Sequence, residues 1–130
     1  MQVTGEQLKR MIRYMLRDEV WQGKHCEFYQ FSRDLNVVYD RTLREMKEFS
    51  FKGESIEDHK IYKIGMQEYH FKNLESCLGI SCDEIAKNGK PRVIATSCRE
   101  ILDEYLSSHQ NLDQKIEGRI VITAADERKG

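Results

Sequence analysis

The front of this chain leaves its backbone little choice. Thr4 and Gln7 stand at the spacing where a threonine hydroxyl accepts from the amide three residues on and the glutamine side chain reaches back. Leu8, Met11, Ile12, Met15 and Leu16 follow at i, i+3, i+4, i+7 and i+8, which is one apolar stripe of a helix. A helix with one apolar face has to bury it against another element, so the rest of the chain must supply a second layer. The two methionines of the stripe read as core gap-fillers.

That second layer is read from stretches with a period of two. Glu27 to Phe31 alternates aromatics, Leu35 to Tyr39 carries Val37 and Val38, and Arg44 to Phe51 alternates Met46, Phe49 and Phe51 less cleanly. Gly23 ends the first helical region, Lys52-Gly53 reads as a turn, and Lys60 to Met66 reads as a further strand. From Tyr69 to Gly79 periodicity is lost. Ser81 and Glu84 repeat the capping pattern ahead of a short helix through Ile85 and Ala86, and Asn88-Gly89-Lys90-Pro91 is a loop. Arg92 to Thr96 reads as extended, and Ser97 and Glu100 cap a helix carrying Ile101, Leu102, Tyr105 and Leu106. A last strand runs from about Lys115 to Ile122. Helices and strands alternate irregularly and without a repeat, which predicts an α+β fold: a mixed sheet packed against a few helices. The expected organisation is a single domain over residues 1–123, followed by a polar tail over 124–130.

Composition narrows the function classes. With 130 residues, 33% charged and 39% hydrophobic, the chain has the length and balance of one packed core. The net charge is -1 with no block of Lys and Arg, which argues against a partner read through its nucleic-acid backbone. No run approaches the roughly 18–20 apolar residues of a membrane span, and the charged first turns do not read as a signal peptide. The two late capped helices are separated by too long a connection for a helix-turn-helix. Cys26, Cys77, Cys82 and Cys98 show no dense disulfide framework. Cys77 and Cys82, with His70 nearby, fall short of the closed set of four ligands that structural zinc prefers, so reduced thiols and no cofactor are expected. Free thiols lean towards a reducing cytoplasm.

Four segments carry a wider likeness. They are Val3-Thr4-Gly5-Glu6-Gln7-Leu8, Leu35-Asn36-Val37-Val38-Tyr39-Asp40, Lys60-Ile61-Tyr62-Lys63 running on to Tyr69, and Ile116-Glu117-Gly118-Arg119-Ile120. In this order the chain resembles, from about Val3 to Ile122, the C-terminal domain of the 5′-nucleotidase family. These are two-domain metallophosphoesterases that remove phosphate from nucleotides.

The resemblance implies an α+β domain that supplies one wall of a nucleoside pocket. It implies an N-terminal metallophosphatase domain as partner, and two divalent metal ions held there. The family's Asp-x-His, Gly-Asp and Gly-Asn-His ligand motifs do not occur in this chain, so the isolated chain is expected not to hydrolyse nucleotides. The family sandwiches the nucleobase between two aromatic rings. The first lies upstream of the strand that leads into the Thr-Gly-x-x-Leu helix, and Tyr69 occupies the position of the second. Six residues on, where the family has the Asp of Gly-Gly-Asp-Gly on the ribose hydroxyls, this chain has Glu75 within Asn73-Leu74-Glu75-Ser76. Arg119 is expected to lock the last strand through carboxylates or backbone carbonyls, and Gly118 to permit close backbone approach or a bulge. Family members are often exported. The reading from a different class is a diverged interaction module that has lost nucleotide recognition, favoured by the missing glycine turn.

Overall fold

In the computed structural model, which describes residues 1–22, 29–92, 98–108 and 118–123, a short strand β1 (Gln2–Thr4) feeds helix α1 (Gly5–Met15). Both halves of the capping box are closed. Thr4 Oγ1 accepts from the Gln7 amide at 3.1 Å, and Gln7 Oε1 accepts from Thr4 N at 2.9 Å. The expected stripe is the buried face: Leu8, Met11, Ile12, Met15 and Leu16 are all buried. Gly5 is held by close approach, because a Cβ there would sit 1.9 Å from the Glu57 carbonyl oxygen. Its amide donates to Lys60 O at 2.9 Å, which fixes the start of α1 on the 57–60 turn.

Strands β2 (Leu35–Asp40), β3 (Glu45–Phe51), β4 (Glu54–Ser55) and β6 (Ile120–Thr123) form one sheet in the order β4-β3-β2-β6. The β2–β3 and β3–β4 pairs are antiparallel and β2–β6 is parallel, so the sheet is mixed. Strand β5 (Ile61–Lys63) pairs instead with β1, antiparallel, as a separate two-stranded ribbon. Lys52 and Gly53, with φ of 53° and 79°, make the two-residue β3–β4 turn with both centres left-handed, as tight hairpins prefer. The uneven alternation of β3 has a structural cause. Val38 faces Glu48 and Tyr39 faces Met46, so Lys47 is an extra residue in a bulge. Met46 and Phe49 therefore both turn to the core from positions that a regular strand would point apart.

Val37, Tyr39 and Phe49 of this sheet meet the stripe of α1 to form the core, joined by Val3, Ile56, Leu74, Leu78, Ile80 and Ile85. The chain is a single small α+β domain. Where periodicity was lost, two five-residue helices stand, α2 (Glu68–Lys72) and α3 (Leu74–Leu78); each is too short to show a stripe. Helix α4 (Cys82–Ala86) is capped by Ser81 Oγ, which accepts from Glu84 N at 3.1 Å. The Glu84 carboxylate does not return to the cap. It accepts from Arg10 and lies 3.5 Å from Gln7 Nε2, tying α4 to α1.

Two expectations are corrected. Tyr29–Phe31 is not a strand: Tyr29 and Phe31 pack against the core from irregular backbone. The strand expected over 60–66 is confined to Ile61–Lys63, although Ile64 N still donates to Met1 O at 2.8 Å. Helix α5 (Cys98–Ser108) carries Ile101, Leu102, Tyr105 and Leu106, and these side chains are between 43% and 55% exposed. Gly23, Glu27, Phe28, the extended segment over 93–96, the Ser97 cap, residues 115–117 and the polar tail lie outside the described residues. Among the described residues no helix is long and apolar enough to cross a membrane.

Candidate functional site

Strand β5 sets where the site begins. Tyr62 is half-buried, and its hydroxyl accepts from Glu57 N at 3.0 Å, so the ribbon is held against the turn that also seats Gly5. The backbone then leaves the ribbon at Ile64 and enters α2 after Gln67. Phe71 of α2 is the residue that packs against the core. Tyr69, two positions earlier, is 63% exposed. An aromatic ring left this open is not a core residue, and its exposure separates a surface role from a packing one.

The backbone around Tyr69 is well tied. Its carbonyl accepts from Asn73 N at 3.2 Å and from Asn73 Nδ2 at 2.8 Å, which closes α2. Along the helix Lys72 Nζ lies 2.9 Å from Glu68 Oε1. The His70 ring lies edge-on to Tyr69, with centroids 5.6 Å apart and planes at 81°, and also to Tyr29, at 5.1 Å and 61°. The sequence reading did not single out Tyr29 or His70 as aromatic partners. Tyr29 stands 39 positions before the first residue of α2, Glu68, and no local pattern links them.

Helix α3 is anchored by Leu74 and Leu78, both buried, and Tyr14 Oη of α1 donates to Ser76 O at 3.2 Å. Glu75 and Ser76 face outward on this helix. Gly79 ends it in the left-handed region, with φ of 66°. Between Gln67 and Leu78 no residue has positive φ. Residues 74–78 are helical instead, with Leu74 on the inner face of the helix. Tyr69 and Glu75 are both open to solvent, one on each of the successive short helices α2 and α3.

Arg119 and Gly118 stand elsewhere, where the chain enters β6. Arg119 Nη1 donates to Phe31 O at 3.1 Å, and its own carbonyl accepts from Val37 N at 2.7 Å. Gly118 has φ of 66°, and among the described residues no atom outside its chain neighbours lies within 4 Å of where a Cβ would be. Glycine serves conformation here rather than close approach. Cys77 and Cys82 are free cysteines. Among the described residues no three His, Cys, Asp or Glu side chains converge as a metal site.

A concavity of about 500 Å³ lies between α1 and the β3–β4 hairpin. Phe49 and Ile56 line its apolar part, and Lys9, Arg13 and Lys47 supply cations. Two of those are already matched: Lys9 lies 2.6 Å from Asp58 Oδ1, and Lys47 lies 3.1 Å from Glu45 Oε2. The hydrogen bond from Lys9, and then its charge, hold the Asp58 carboxyl below the usual carboxylate range. Comparison with family models, with curated proteins and with solved structures finds no match to this chain.

Proposed function

We propose that this chain is a substrate-specificity domain of a 5′-nucleotidase-like metallophosphoesterase, offering Tyr69 to a nucleobase and Glu75 to the ribose side. A partner metallophosphatase domain, with two divalent ions, would carry out hydrolysis of the nucleotide phosphoester. The observation that carries the reading is the open ring of Tyr69 on α2, the element that follows β5 in the chain. A single stacked base is worth about 1–3 kcal/mol, whereas millimolar binding needs about 4 kcal/mol. The isolated chain is therefore expected to bind nucleosides at about millimolar strength or weaker. Neither Tyr69 nor Glu75 offers a cation to a phosphate, so adenosine and AMP should bind alike. Amide chemical-shift mapping with both ligands tests this. Perturbations should gather on α2 and α3, and a shift pattern centred elsewhere on the domain would refute the assignment of these residues.

A second reading is supported by α5. Its four exposed apolar side chains, together with a helix in place of the glycine turn, suit a diverged interaction module without nucleotide recognition. The same titration separates the two, since such a module gives no nucleoside-dependent shifts on α2.

A further inference from the structure

Tyr69 alone is a poor receptor. A ring on a solvent-exposed five-residue helix has freedom about its side-chain torsions, and a ligand that stacks on it has to restrict that freedom. The structure supplies a restraint from another part of the chain. His70 lies between Tyr69 and Tyr29, edge-on to each, so the three rings form a continuous row from the irregular segment at 29 to the open face of α2. Tyr29 packs against the core, His70 is half-buried and Tyr69 is exposed, so the row is anchored at one end and open at the other. Edge-to-face pairs at these separations have a preferred geometry, and that geometry is passed from ring to ring.

We propose that Tyr29, His70 and Tyr69 form one aromatic ledge, in which His70 is a positioning residue that holds the Tyr69 ring for a planar aryl ligand, a nucleobase on the reading above. The ligand rests on that reading, while the fixed ring geometry is testable without it. Preorganising one side chain corresponds to roughly a three- to tenfold gain in affinity.

The test uses the full chain with resolved Tyr and His ring resonances. In the free wild-type protein, ring-to-ring NOEs should connect Tyr69 with His70 and His70 with Tyr29. His70→Gln should abolish the ring-current displacement of Tyr69 and weaken AMP binding by roughly three- to tenfold, and His70→Phe should restore both. Amide spectra establish that each variant is folded, and the wild-type NOEs decide the geometry whatever the variants do. If the Tyr69 ring resonates as in free tyrosine without contact to His70, or if His70→Gln binds AMP like wild type, the ledge is overturned while the nucleoside reading stands. If the NOEs are present but AMP raised to roughly a hundred millimolar leaves the Tyr69 ring unmoved, the nucleoside reading fails and His70 has no recognition role.

Discussion

At Arg119 the main chain and the side chain hold different parts of the fold. The carbonyl continues the parallel pairing of β6 with β2, and the guanidinium donates to Phe31 O in the irregular segment beside them. Arg119→Ala should cost about 1.5–3 kcal/mol, the usual loss for a hydrogen bond from a charged donor. An unchanged urea midpoint would show that the 29–31 segment is held without it. Tyr39 makes a second test of a single side chain. It is buried on β2, and burial first, then the Asp18 carboxylate, raise its phenol above the ordinary value. Because the folded value is raised, its contribution to stability is fully present below about pH 10, the ordinary tyrosine value, and is lost as pH rises through the folded one. Tyr39→Phe should flatten the decline in stability over that alkaline window. An alkaline limb as steep as that of the wild type would place the titrating group elsewhere.

Helix α1 is the element in which sequence and structure agree most closely, because its signals are local. A capping box needs only two side chains three residues apart, and a buried stripe needs only the helical period. Thr4→Ala should lower stability by about 1 kcal/mol, and Thr4→Ser should keep most of it. Equal midpoints for the Ala and Ser variants, read by chemical denaturation, would mean that the cap is dispensable. Gln7 shows what local reading omits. Its Oε1 also accepts from Asn88 Nδ2 at 2.6 Å, joining the start of α1 to the turn after α4. That contact spans 81 residues and has no sequence signature. In β3 the bulge at Lys47 shifts the core-facing phase, so strict alternation was the wrong template for Met46 and Phe49. Helices α2 and α3 were illegible because they are held by Phe71, Leu74 and Leu78 docking on the core rather than by any intrinsic helical run.

Across the whole molecule, the α+β class was readable because mixed periodicity without a repeat admits few layer arrangements. The pairing was not. That β5 joins β1, leaving β2 to pair in parallel with β6, depends on contacts between distant segments. The candidate site divides in the same way. Tyr69 could be named from the end of one resembled segment and Glu75 from its place six residues beyond, and both are exposed. The ring row behind Tyr69 emerged only from the fold, since Tyr29 reaches it from another part of the chain. The proposed role of the domain depends on whether that open ring receives a nucleobase. The most direct measurement is the dissociation constant of AMP for the wild-type chain and for folded Tyr69→Ala, by NMR titration. The wild type should bind at about millimolar strength or weaker, and the variant should lose about 1–3 kcal/mol more, which removes measurable binding. Equal affinity for the two proteins, or micromolar binding that survives the loss of Tyr69, would contradict that role.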